Sequence, residues 1–293
     1  MTIGAHISTK GRLINVLDRA TNLGVQAIQI HPSQPQQWAK PKITDEEASD
    51  FAQEMKKRRL GPLFFHNIYL INFASENPAI WHGAITSTIN YLQLADKMQA
   101  IGVITHLGST KGADWKTAKK RVIDGLHKVF DDLRRDDPAW SSQNRELSKF
   151  IIETAAGAGN VIGDDLDEVA EIFNAIKDNY PCGICIDTAH LFASGRPIHT
   201  KDGFDELLDE IDKKIGLSNL VAVHLNDSMS ELNSKHDRHE NIGQGKIGDQ
   251  ALARIINHPK LKNIPFILEV PGFEKTGPDK QNVEHVKALV EPS

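Results

Sequence analysis

Apolar positions along this chain follow two alternating periods. Short runs rich in Val, Ile, Leu and Phe read as strands, and longer stretches with apolar residues at helical spacing lie between them. The runs predict strands over residues 3–8, 27–32, 63–67, 102–107, 150–154, 183–187, 220–225 and 265–270. The periodic stretches predict helices around 13–23, 45–60, 78–98, 115–133, 164–177, 202–215, 249–256 and 282–290. Several of these open on an acidic residue or Pro, as helix N-termini prefer. Eight β-then-α units predict an α/β chain folded as one (β/α)8 barrel, a TIM barrel, over residues 1–293; an open doubly wound sheet is the alternative. No linker, composition shift or low-complexity tract marks a second domain.

A barrel of this kind carries its active site at the C-terminal ends of its strands. Residues of metal-ligand type fall there repeatedly: His6, His31, His66, His106, Glu153, Asp187 with His190, His224 and Glu269. A His after a strand has ordinary uses. Glu153, which follows Phe150-Ile151-Ile152, and Glu269, which follows Phe266-Ile267-Leu268, do not: a carboxylate at the inner end of a strand is costly unless paired or metal-bound. The stretch from Leu220 to Gly248 adds a buried-strand pattern ending in His224 and then, in a long polar loop, Asp237-Arg238-His239. Carboxylate oxygen and imidazole nitrogen both suit zinc, manganese and iron. Together these residues predict a multinuclear metal site. In Asp187-Thr188-Ala189-His190 the spacing is compatible with one shared metal or with two.

Composition narrows the partners. With 40% hydrophobic and 25% charged residues, the chain has the balance of an ordinary globular protein. No apolar run approaches the ~18 residues of a membrane span and the N-terminus has no signal-peptide pattern, so a cytoplasmic protein is expected. Cys182 and Cys185 form a C-x-x-C, but three residues apart on a strand their thiols should face opposite ways, which argues against redox or metal chemistry. A net charge of −5 excludes binding of nucleic acid by bulk positive charge. It does not exclude a DNA enzyme, because three divalent cations (+6) would bring −5 to about +1 and place that charge at the site. Lys56-Lys57-Arg58-Arg59 ends a predicted helix at the far side of the barrel and reads as structural. Lys116, Lys119, Lys120 and Arg121, near a helix start on the active-site side, are candidates for phosphate contact, as are Lys235, Arg238 and Lys246. Tyr69 and Leu70, just beyond a ligand strand, are positioned to wedge or stack against bases, with Gln36-Gln37-Trp38 a weaker candidate.

These residues resemble the endonuclease IV family, metal-dependent apurinic/apyrimidinic endonucleases with a TIM-barrel fold. The resemblance runs from Gly4-Ala5-His6-Ile7-Ser8 to Phe266-Ile267-Leu268-Glu269. It is most specific at Cys185-Ile186-Asp187-Thr188-Ala189-His190, His224-Leu225-Asn226-Asp227-Ser228 and Asp237-Arg238-His239-Glu240-Asn241-Ile242-Gly243. It implies three divalent ions, zinc foremost, with Mn2+ or Fe2+ as alternatives. One would be held by His66, His106 and a bridging Glu153; a second by Glu153, Asp187, His224 and Glu269; a third by His190, Asp237 and His239. Asp187 and His190 would then serve different metals, and His6 and His31 would have no ligand role. Glu153, Asp187 and Glu269 become the catalytic carboxylates of a deoxyribonuclease IV-type hydrolase. The implied reaction is in-line attack by a metal-bridging hydroxide on the phosphodiester 5′ to an abasic site in duplex DNA, together with removal of 3′-blocking groups. Tyr69, Leu70, Gln36, Arg238 and Lys235 would contact the DNA, and a monomer is the expected state.

The chain also departs from that family. Gln36 stands where members usually have an Arg that enters the base stack. Leu107 replaces a usual Pro, Thr154-Ala155 an Asn-Thr pair, and Arg196-Pro197 a Tyr-Asp pair. None removes a ligand; they bear on DNA bending and lesion selection. Two other functions fit less of the pattern. A sugar isomerase or epimerase on the same barrel leaves His190, Asp237 and His239 without a use, and a lesion-binding protein without turnover predicts damaged ligands.

Overall fold

The computed structural model describes residues 1–136, 140, 147–178 and 180–291. The first half alternates strand and helix: β1 (Ile3–His6), α1 (Asn15–Leu23), β2 (Ala27–Ile30), α2 (Asp45–Lys57), β3 (Leu63–His66), α3 (Pro78–Lys97), β4 (Gly102–Thr105) and α4 (Trp115–Asp136). After β5 (Lys149–Glu153), α5 (Leu166–Ile176) and β6 (Cys182–Asp187) come two successive helices, α6 (Thr188–Ser194) and α7 (Lys201–Lys214). Then follow β7 (Leu220–His224), the short β8 (Asp227–Ser228) and β9 (His239–Glu240), α8 (Asp249–Ile256), β10 (Phe266–Leu268) and α9 (Lys280–Leu289).

The long strands close in the order β1-β10-β7-β6-β5-β4-β3-β2, with parallel pairing throughout, so the barrel holds and the open sheet does not. β8 and β9 form a separate antiparallel pair above the rim. The sequence pattern carries most strands a residue or two too far, because the residues after each ladder stops are a mixture of apolar and ligand-type groups that does not mark its end. It misses α6 for a different reason. Residues 188–193 are all buried, so that short helix has no polar face to produce a period.

Alternation of side chains across each strand stacks the interior in layers. Phe64, Ile104, Ile151, Cys185, Ala222 and Ile267 fill one apolar layer inside the barrel. Two residues further along the same six strands come His66, His106, Glu153, Asp187, His224 and Glu269. The period of two therefore turns an apolar plug into a ring of ligand-type groups one layer higher. Cys185 belongs to this plug whereas Cys182 packs in the outer core between sheet and helices, and both are free and buried. Burial pushes the Cys185 thiol up to about 11 and that of Cys182 up to about 12, which leaves both protonated and unreactive.

Candidate metal centre

Each strand delivers its group to the rim in a defined pose. Glu153, at the end of β5, is fully buried, and both its oxygens face imidazoles. His66 Nε2 and His106 Nε2 lie 3.1 and 3.2 Å from Oε2, and His224 Nδ1 lies 3.0 Å from Oε1. The same His224 nitrogen is 3.2 Å from Glu269 Oε2 and 3.7 Å from Asp187 Oδ2. Asp187 ends β6 and caps α6, its Oδ1 accepting the His190 N–H at 3.0 Å, so a single turn of helix sets that histidine beside it. Gly195, at φ 106°, ends that helix in the left-handed conformation a side chain would resist. His190 Nε2 meets Asp237 Oδ2 at 3.1 Å, and His239 Nε2 lies 3.2 Å from Asp237 Oδ1 and 3.6 Å from Asp187 Oδ2.

Among the described residues, three sets of donor atoms are close enough to share ions, all within 4.8 Å in each set: His66, His106 and Glu153; Glu153, Asp187, His224 and Glu269; and Asp187, His190 and His239. Glu153 joins the first two sets. Asp187 stands in both of the others, a bridging position that the expected split between Asp187 and His190 does not include. Asp237 flanks the last set through its contacts to both histidines.

The outward nitrogens of these rings decide what the inward ones can do. His66 Nδ1 is 2.8 Å from the Asn67 carbonyl, His190 Nδ1 2.8 Å from the Thr154 carbonyl, and His239 Nδ1 3.2 Å from the Glu269 carbonyl. A carbonyl only accepts, so each Nδ1 carries the proton and a neutral ring turns its Nε2 lone pair toward carboxylate oxygen. Lone pair against carboxylate is repulsive unless a proton or a cation lies between them. His239 Nε2 is buried and has no hydrogen-bond partner among the described residues, although Asp237 is near. This is the donor set and ring orientation that divalent cations require, and the residues present fit them.

Without such cations the groups polarise one another. Burial opposes the charge on Glu153, but His106, His224 and His66 outweigh it and hold its carboxyl well below the usual range; Glu269 is held down in the same way by His224 and His66. Burial likewise opposes protonation of His190 and His224, yet neighbouring acidic groups raise both well above an ordinary imidazole. Asp237 is held low by His190 and His239 against its own desolvation.

Other candidates are placed differently. His31 is buried, its Nδ1 against the His66 carbonyl at 2.9 Å, and burial beside His6 and His66 pulls it down to about 2. Among the described residues, neither it nor His6 joins a ligand set. Tyr69 is 62% exposed at the lip of a cavity of about 610 Å3 that has the ligand cluster for its floor and Lys275 on its wall. Leu70 packs partly against the core, while Gln36 and Arg238 are exposed. Lys235 is committed within the protein, its Nζ donating to the Ser194 carbonyl at 2.8 Å. Lys119, Lys120, Arg121 and Lys246 pair with Glu171, Asp124, Glu76 and Glu231, so they behave as a solvated, ion-paired surface. Thr154 takes a supporting role, its hydroxyl accepting the Asp187 N–H at 3.0 Å. Arg196 pairs with Glu210 on α7.

Sequence reasoning overlooks Gln29. It is fully buried inside the barrel and touches His224, Glu269 and His6. The only signal is an amide inside the apolar run Ala27-Ile28-Gln29-Ile30, a placement that needs partners.

A family model described as a xylose isomerase-like TIM barrel matches residues 17–290, which makes the chain a member of that class of barrels. It is 36% identical over 289 residues to a probable endonuclease 4 of Halothermothrix orenii, covering 99% of each chain. Endonuclease IV from Thermus thermophilus superposes with a TM-score of 0.82 at 28% identity, covering 99% of this chain and 98% of that one. The chain belongs to the endonuclease IV family. A putative xylose isomerase of Rhodospirillum rubrum, at TM-score 0.73 and 16% identity over the full length of both chains, shares the fold alone.

Proposed function

We propose that this protein is a DNA-repair hydrolase that cuts the phosphodiester 5′ to abasic sites in duplex DNA, removes 3′-blocking groups, and uses three divalent ions, zinc foremost. The observation that carries this reading is the convergence of eight ligand-type side chains, from the ends of six barrel strands, α6 and β9, into three interlocking donor sets, with Asp237 of the β8–β9 loop in contact with the last of them. Family membership supplies the substrate class.

His66 and His106 would hold one ion against Glu153; His224 and Glu269 a second, with Glu153 and Asp187 between them; and His190 and His239 a third, with Asp187 and Asp237 in reach. Bound there, divalent cations would acidify a water for in-line attack and neutralise charge on the phosphoryl oxygens. The chain's own residues set that chemistry up. Glu153 and Asp187, both fully buried, each draw two ligand sets together. The backbone carbonyls behind His66, His190 and His239 keep those rings in the ligand tautomer. Tyr69, with Leu70 behind it and Gln36 and Arg238 exposed nearby, offers the surface for a distorted duplex. Lys235 would act through the loop it anchors. The protein would work as a monomer in the cytoplasm.

Metal analysis of the purified protein, paired with incision of a duplex carrying one abasic analogue, tests this reading. Close to three ions per chain and a cut 5′ to the lesion are expected. His239→Ala should lose one ion and at least about a hundredfold in rate, the scale of removing one transition-state contact. Incision that survives His239→Ala undiminished would rule out a third ion in the mechanism.

A further inference from the structure

Gln29 occupies an unusual place in the barrel. On β2 it pairs in register with Phe64, at the level of the apolar layer, and its long side chain reaches up into the ligand layer. Its amide nitrogen is 2.5 Å from Glu269 Oε1 and 2.9 Å from His6 Nδ1, and its amide oxygen is 2.8 Å from His224 Nε2. Chemistry leaves one arrangement of these atoms. Glu269, as a carboxylate, only accepts, so the NH2 of Gln29 must face it. The amide oxygen must then face His224, which has to present Nε2–H to it. The remaining ring nitrogen, Nδ1, is therefore the one turned toward Glu153, Glu269 and Asp187. The second amide hydrogen falls to His6 Nδ1.

We infer that Gln29 is the positioning residue of the second donor set: it holds His224 with Nδ1 as the ligand atom and pins one oxygen of Glu269, leaving the other for the cluster. This rests on the metal reading above. The three histidines already discussed use backbone carbonyls for the same purpose. His224 instead uses a side chain three strands away around the barrel, so a single substitution can remove the support.

The test uses protein labelled with 15N in its histidine rings, with and without zinc, and the variants Gln29→Leu and Gln29→Glu. His224, assigned by comparison with His224→Asn, should show a slowly exchanging Nε2–H proton in wild type whether or not zinc is present. Gln29→Leu should lose it. Gln29→Glu keeps an acceptor and should retain it. In competition with a chelator, both variants should hold one of their zinc ions roughly 10–100-fold more weakly, the usual effect of losing an outer-shell partner. A wild-type His224 without a protected Nε2–H, or a Gln29→Leu protein with unchanged zinc affinity, would overturn the inference. If wild type binds no zinc, the metal reading fails by itself, while the proton signal still decides whether Gln29 fixes His224. That signal is read in wild type, so the result does not depend on either variant folding.

Discussion

His31 and His239 stand at the same rim with opposite electrostatics. Burial next to two other imidazoles drives His31 down to about 2, so it is a neutral packing group at any physiological pH. His239 is also desolvated, but the charge of Asp187 and the close carboxylate of Asp237 raise it from 6.5 to about 9. In metal-free protein a raised imidazole stabilises the fold in its charged form. That contribution is complete below the ordinary value near 6.5 and is lost as pH rises through about 9. Melting of chelator-treated wild type should therefore fall more steeply between those limits than melting of His239→Gln; parallel curves would show that His239 is not charged there. Residue identity alone could not separate these two histidines. Asp237, two residues before His239, marks that histidine locally, but Asp187 reaches it only from the end of β6, and nothing near His31 in the sequence announces its burial beside two other imidazoles.

The elements that complete the site are its least regular ones. α6 and the β8–β9 pair carry His190, Asp237 and His239, and none of them shows a clean hydrophobic period. Their order comes from buried polar anchors. Asp227, on β8, accepts the backbone N–H groups of Ser228, Ile247 and Gly248 with Oδ1, at 2.8, 3.0 and 3.3 Å, and that of Gly245 with Oδ2 at 2.9 Å. It thereby ties the loop that follows β9 back to the strand that precedes Asp237. Asp227→Ala should leave several buried donors unpaired and cost about 3 kcal/mol in denaturant unfolding. It should also reduce metal occupancy at the His190–His239 set. Stability and metal content both equal to wild type would show that the loop is held by something else. The eight main strands and helices, in contrast, are legible from period alone, because each buries one face against a neighbour and so writes that face into the sequence.

For the whole molecule, the unbalanced feature is four carboxylates, Glu153, Asp187, Asp237 and Glu269, gathered around one mouth. Their mutual repulsion opposes closure of the barrel unless cations or protonated histidines offset it. Ions that bind only the folded state should stabilise it by about 2.7 kcal/mol per site at roughly a hundredfold excess over the dissociation constant. Stripping the metals should accordingly lower the calorimetric melting temperature, and returning zinc should restore it; a melt indifferent to both would mean the cluster holds no ion. Among the described residues no helix is long and apolar enough to cross a membrane.

Period and residue type are local properties, and they suffice for much of this protein. Alternation along each strand specifies eight β-then-α units, places a ligand-type group at strand ends such as Phe64-Phe65-His66 and Ile151-Ile152-Glu153, and with the Asp237-Arg238-His239 loop announces a metal cluster. Which groups share an ion is not local. Glu153 and Asp187 each stand in two donor sets, Gln29 reaches His224 and Glu269 across the interior, and Lys119, Lys120 and Arg121 turn out to be paired. These relations depend on distances between residues up to 240 positions apart, such as Gln29 and Glu269. Such distances exist only once eight strands have closed into a ring, because closure alone sets one strand's side chains opposite another's.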